Sequence, residues 1–325
     1  MTRKTHLFGA LTIAASMAIG VSGQAAAEQV TLRTASAFAK GTAIPFTFDK
    51  FVEEINSDAN APVKLNYVGG PESMPPFQLG NAVRTGVVDV AFVTGAFYEN
   101  LMPSAGALNL TEYSPQELRE MGRWDDLQEI WREEMDVHFL AFTNYGNRFH
   151  LYTNKPLDTA DLSGQRLRIT PVYRAFFESL GADVAQTAPG EVYTALERGT
   201  VDGYGWPIQG VLDLGWHEHT RYRVEPGFYQ VEVGVLVNQD AWERMTGEQR
   251  AYLTEKAVWL ESLNELNDEI NEREAKRQAE AGMEVIELTG AEREKFLDAA
   301  HEAKWQVLYE QDRETAERIR AVITK

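Results

Sequence analysis

Eight residues occur twice in this chain in nearly the same form. Ala82-Val83-Arg84-Thr85-Gly86-Val87-Val88-Asp89 is echoed by Ala195-Leu196-Glu197-Arg198-Gly199-Thr200-Val201-Asp202. Each copy reads as a helix end, a capping glycine and a strand that opens on Val-Asp. The same helix-to-strand handover, made twice and far apart, points to two lobes of similar construction. Two lobes leave a cleft between them, and small-molecule sites favour such clefts.

The pattern around each copy fits an α/β lobe. Residues 30–35 read as a strand, with Phe38 just beyond it, and 45–55 as an amphipathic helix. Residues 63–68 alternate as a strand until Gly69-Gly70-Pro71, and 77–84 read as a helix. Residues 87–94 form a nearly continuous apolar run around Asp89, as a strand buried on both faces requires. Thr94, Phe97 and Tyr98 lie at its carboxyl end. A second cycle places strands at 139–143, around 148–152 and at 167–170, with helices at 173–180 and 191–198. Strands alternating with helices predict a mostly parallel sheet, with ligands beyond the carboxyl ends of the strands.

Thr246-Gly247-Glu248-Gln249 has capping-box spacing, and residues 248–281 contain no proline or glycine. Leu253, Ala257, Leu260, Leu263, Leu266 and Ile270 recur every three or four residues on one face. One continuous helix of that length reaches roughly 50 Å, enough to span both lobes. The alternative is two helices with a break between Asn264 and Asn271. A second capping box at Thr289 opens a final helix containing Phe296, Trp305 and Leu308.

The amino terminus reads as an export signal. Arg3 and Lys4 precede an apolar run at 7–21, and Ala25-Ala26-Ala27 offers a cleavage site. Cleavage near Ala27 gives a periplasmic protein beginning at Glu28, with 29 basic against 49 acidic residues. A surface so acidic repels nucleic acid and anionic membrane. With no cysteine, the chain is neither a disulfide-stapled scaffold nor a thiol enzyme.

No motif for a nucleophile elbow, a phosphate loop or a dinucleotide fold is present in the mature chain. His217-Glu218-His219 has i,i+2 spacing, unlike the i,i+4 of a zinc helix, and reads as a polar loop. No metal or cofactor is therefore expected. In an acidic chain, arginines in apolar settings stand out. Arg168 lies in a strand leading to the cleft, and its planar fork matches a carboxylate with two parallel hydrogen bonds. The partner is either a ligand or an internal acid such as Glu191 or Asp202. Arg166 starts that strand and is expected to reach solvent. Arg148 either helps bind the ligand or braces a loop. Trp206, between Gly205 and Pro207, either stacks on a ligand or packs in the core.

At these residues the chain resembles the periplasmic solute-binding subunits of tripartite ATP-independent (TRAP) transporters, the DctP-like family. Residues 161–168 and 190–207 carry the resemblance, which covers essentially the whole mature chain. It implies two α/β lobes, a hinge and a long helix spanning both, with the first lobe at 28–145 plus about 235–272 and the second at 146–234 plus about 273–325. It implies that Arg168 pairs with the carboxylate of a small organic acid and that Arg148 assists. The first-lobe site positions it implies are Phe38, Glu72, Thr94 and Phe97. It implies delivery to small and large membrane subunits driven by an ion gradient. The family commonly has asparagine where this chain has Trp206. That departure turns the expectation away from a C4-dicarboxylate or sugar acid, toward a carboxylate with an apolar, aromatic or cationic body. Alternatives are a periplasmic cleft hydrolase and a receptor that presents ligand to a membrane sensor.

Overall fold

The computed structural model describes Met1, Thr2 and residues 29–325. The apolar run and cleavage site of the expected signal peptide lie outside the described residues. Among the described residues eleven strands are formed: β1 (Val30–Ser36), β2 (Val63–Gly69), β3 (Val90–Val93), β4 (Val137–Thr143), β5 (Phe149–Thr153), β6 (Arg166–Ile169), β7 (Asp183–Gln186), β8 (Gly203–Pro207), β9 (Tyr222–Glu225), β10 (Val233–Asn238) and β11 (Glu284–Glu287). They make two sheets, ordered β2-β1-β3-β10-β4 and β11-β9-β5-β8-β6-β7. Read from the β7 edge, the second sheet repeats the plan of the first: β7 matches β2, β6 matches β1, β8 matches β3 and β5 matches β10.

The sheets are more mixed than the sequence pattern predicts. β2, β1 and β3 are parallel, as are β7, β6 and β8. β10 runs antiparallel to both of its neighbours, and so does β5. These are the strands that carry the chain between lobes. The chain leaves the first sheet after β4, enters the second on β5, and returns on β10. The two crossings touch where Arg148 pairs antiparallel with Gln230.

The repeated segment builds the same staple in both lobes. Gly86 and Gly199 take left-handed φ values of 72° and 62°, which glycine adopts without steric cost. In the first lobe, Asp89 accepts from the Arg33 backbone N–H at 2.8 Å, from Nε at 3.0 Å and from Nη2 at 2.9 Å, while Nη2 also reaches Gly86 O at 2.7 Å. In the second, Asp202 accepts from the Arg166 backbone N–H at 3.1 Å, from Nε at 3.0 Å and from Nη2 at 3.1 Å, and Nη2 reaches Gly199 O at 2.9 Å. Each arginine ties the edge of its strand to the helix-to-strand turn beside it.

The expected single long helix is interrupted. A helix over Gly247–Ser262 tightens into a 3-10 turn at Leu263–Leu266 and resumes over Asn267–Glu280. The torsions at Leu263 and Leu266 stay right-handed, so the axis is tightened and not broken. The turn sits where the segment passes from the first lobe to the second. There Asn267 Nδ2 donates to Tyr145 O at 2.8 Å and Asn271 Nδ2 to Gly146 O at 2.9 Å, fixing the helix to a crossing.

A final helix runs over Gly290–Ile323 with non-helical torsions at Asp312. Asp312 Oδ1 accepts from Thr315 N and restarts it. Before the kink, Phe296 packs edge-on to Phe176 of the second lobe. After it, Arg318 pairs with Glu133 at 2.8 Å and Ile323 O accepts from Glu112 N, both in the first lobe.

Candidate binding cleft

The carboxyl ends of β1, β3, β6 and β8 face one another across a cleft. It has an inner chamber of about 20 Å³, walled by Phe38, Thr94 and Phe97 from one lobe and Phe149, Thr170 and Trp206 from the other. Glu232, just before β10, closes it at the crossing. An outer chamber of about 330 Å³ shares Phe38, Ile44 and Trp206, and adds Pro71, Pro75, Ala188, Pro189 and Gly210. The inner chamber holds one water-sized group and the outer one the body of a small molecule. Across the mouth, the Ala43 N–H donates to Asp213 Oδ2 at 3.0 Å.

Phe38, Thr94, Phe97 and Trp206 are thus brought together around one cavity. Phe38 and Phe97 lie 5.8 Å apart, centroid to centroid, and form an aromatic wall. Trp206 faces it from β8, braced edge-on by Trp216 at 4.8 Å. The Trp206 indole N–H is buried and makes no hydrogen bond.

Arg168 is 0% exposed and stands one layer behind this wall. Its guanidinium carbon lies 5.6 Å from the Trp206 ring centre and 5.8 Å from that of Trp216. Nε and Nη2 donate to Thr187 O at 3.1 and 2.7 Å, and Nη1 to Tyr173 Oη at 3.2 Å. Tyr173 Oη in turn donates to Gly205 O at 2.6 Å. Neither internal acid considered from the sequence contacts it. Asp202 is taken by Arg166 and Lys155, and Glu191 accepts from the Ala188 N–H. Burial pushes the Arg168 pKa below its ordinary value. Glu191 acts on it only at a distance, so a guanidinium this buried, hydrogen-bonded to neutral oxygens alone, is an incompletely compensated cation. Thr187 directly precedes Ala188, Pro189 and Gly190 in the outer wall, so the charge lies just outside the cavity.

Arg148 and Glu72 are not brought into either chamber. Arg148 is exposed on the crossing, and among the described residues its guanidinium makes no hydrogen bond or ion pair. Glu72 is exposed at the rim, where it accepts from the Gly70 N–H at 2.6 Å; that bond lowers its pKa. Arg166, expected to reach solvent, is half exposed but committed to Asp202. His217, Glu218 and His219 form a 3-10 turn in which Glu218 accepts from the Tyr193 hydroxyl.

Glu232 was not legible as a site residue, though a lone acid between Val231 and Val233 in an apolar run is the available signal. Its side chain is fully buried. Oε2 accepts from the Gly95 N–H at 3.0 Å, and the Thr94 hydroxyl and the Gly234 N–H also lie against the carboxyl. Burial pushes its pKa up to about 8, so it is mainly protonated at neutral pH.

Residues 35–312 match the family described as bacterial extracellular solute-binding protein, family 7 (DctP). The chain belongs to that family. It is 26% identical over 316 residues to protein y4mM of Sinorhizobium fredii, covering 92% of this chain and 56% of that protein, so it spans little more than half the relative's length. Among solved structures, a TRAP periplasmic solute-binding protein of Desulfovibrio salexigens with bound orotic acid superposes with a TM-score of 0.80 at 20% identity, covering 90% of this chain and 97% of that one. A TRAP transporter solute-binding protein of Bordetella bronchiseptica, with calcium and picolinate in its site, gives 0.79 at 20%, covering 91% and 90%. These superpositions confirm the two-lobed α/β fold. As a member of the family, the chain is a solute-binding protein.

Proposed function

We propose that this protein captures a small organic acid by its carboxylate in the periplasm and delivers it to the small and large membrane subunits of a TRAP-type transporter. The observation that carries this reading is Arg168, a fully buried cation hydrogen-bonded to no internal carboxylate, set against the cleft wall. Its charge calls for an anion, and the ligand carboxylate supplies one by exchanging with the Thr187 and Tyr173 oxygens. Phe38, Phe97 and Trp206 enclose an apolar or aromatic body, and Thr94 adds a hydroxyl. Arg148 braces the crossing, and Glu72 holds the Gly69-Gly70 turn at the rim. The orotate and picolinate bound by the two structural relatives fit this chemistry.

The lobes in this reading move as two bodies about the crossings at 144–148 and 226–232 and the turn at Leu263–Leu266. Closure is a shift of population, driven by contacts the ligand makes only in the closed form. A thermal-shift screen of residues 28–325 against organic acids, sugars and amines tests the reading. An acid at ~100 times its dissociation constant adds about 2.7 kcal/mol and raises the melting temperature. Stabilisation by sugars or amines alone refutes it, and turnover of a bound acid would mark an enzyme.

A further inference from the structure

We propose that the ligand carries a single negative charge on a hydrocarbon body, and that the outer chamber selects for this by withholding charge and hydrogen bonds. The inference rests on reading the cleft as an organic-acid site, and it narrows that reading to apolar monocarboxylates. Among the described residues, no ionisable side chain lines the outer chamber. The charges that flank its wall in sequence are engaged elsewhere. Lys40 Nζ lies 5.5 Å from the Tyr67 ring centre, Glu72 accepts from the Gly70 N–H, and Asp213 accepts from the Ala43 N–H. Glu232 borders the inner chamber and not the outer.

The wall is also poor in free hydrogen-bonding groups. Pro71, Pro75, Pro76 and Pro189 have no N–H to give. The N–H groups of Phe38, Thr42 and Ala188 are committed, to Ser36 Oγ at 3.0 Å, Ala39 O at 3.3 Å and Glu191 Oε2 at 3.3 Å. The Thr42 hydroxyl donates to Ala39 O at 2.7 Å. Acceptors are used in the same way. Phe38 O takes the Ser36 hydroxyl, Pro75 O takes the Gln78 N–H, and Gly210 O takes the Leu214 N–H. Each of these bonds closes within a loop of the wall, over residues 36–42, 75–78, 188–191 or 210–214. A ligand gains none of them without breaking the turn it holds.

Arg168 neutralises one charge. A second carboxylate, or an ammonium group, would enter the outer chamber without a partner. A polyol would give up its water with little in return. At about 330 Å³ the chamber is small for a ligand pocket and suits one ring or a short branched chain.

Calorimetry on the mature chain with matched acids tests the inference. The compounds para-methylbenzoate, terephthalate and para-aminomethylbenzoate share a ring and a carboxylate and differ in the group at the far end. Cyclohexanecarboxylate and quinate differ in ring hydroxyls. The apolar member of each set should bind at least ~100-fold more tightly than its polar counterparts, a factor worth about 2.7 kcal/mol. Leu214 lines the outer chamber and is partly exposed, so Leu214→Lys adds a cation there. It should narrow the gap between para-methylbenzoate and terephthalate at least ~10-fold. An unchanged gap in the folded variant overturns the inference. If the variant does not fold, the wild-type ranking decides. Terephthalate, the amine or quinate binding as tightly as its apolar counterpart also overturns it. If every acid fails while neutral para-methylbenzamide binds, the organic-acid reading is what fails, and the preference for a hydrocarbon body survives it. If none of these compounds binds, both fall.

Discussion

Arg33 and Arg166 occupy matching places in the two lobes. Each has a side chain 50% exposed and each grips an aspartate whose side chain is only 9% or 11% exposed. Two residues further along, the lobes part. In the first, Ala35 pairs with Ala91 across the parallel ladder. In the second, Arg168 pairs with Tyr204. Both positions are buried, but one carries a methyl group and the other a full charge. The shared staple serves the fold, since an Arg–Asp grip at a turn is useful in either lobe. In the proposed reading the departure marks the site, because a buried guanidinium hydrogen-bonded to no carboxylate is costly unless an anion arrives.

That contrast can be broken by substitution. Arg168→Met keeps most of the volume and removes the charge. It should weaken organic-acid binding at least ~100-fold, about 2.7 kcal/mol, yet leave stability unchanged or raised, because a desolvated charge is gone. Arg166→Met should do the reverse, retaining binding in calorimetry and lowering the urea midpoint. If both variants lose binding equally, the two arginines do not divide fold from function as described.

Smaller effects sharpen the equivalence of the staples. Asp89→Ala and Asp202→Ala should each cost about 1–3 kcal/mol, and by similar amounts. A large inequality in denaturant midpoints would mean that one lobe depends on its staple far more than the other. Acid should act on the second staple in a predictable direction. Arg166 holds the Asp202 carboxyl down to about 2, below its ordinary value. Its contribution is present above about pH 4 and is lost as pH falls toward 2. Thermal unfolding of Arg166→Met should show less of that acid dependence than the wild type. The smallest effect is expected from Trp206→Phe, which keeps a ring in the wall and removes the orphan N–H. Affinity should fall by roughly 3- to 10-fold, as one hydrogen bond implies.

The repeat was legible because it is local: a capping glycine and a Val-Asp start are written in consecutive residues. Arg168 was legible because a charge inside an apolar strand is an anomaly that needs a reason. Its partners were not, since Thr187 O and Tyr173 Oη reach it through the folding of separate segments. Arg148 also sits beside an apolar strand, but the strand crossing turns its side chain to solvent, and one-dimensional spacing does not reveal that direction. The 3-10 turn at Leu263–Leu266 escaped for a similar reason. Its cause is the pair Asn267 and Asn271 gripping the Tyr145-Gly146 backbone, a contact over more than a hundred residues. Glu232 had a local signal, and only the fold shows that it borders a cavity.

The central claim is that Arg168 recruits a carboxylate. Paired calorimetric titrations test it most directly, using an organic acid that stabilises the wild type and the neutral primary amide of the same compound. The two differ in charge and little in shape. The account predicts that the acid binds at least ~100-fold more tightly than the amide, and that Arg168→Met abolishes the difference. Equal affinity for acid and amide in the wild-type protein would contradict it.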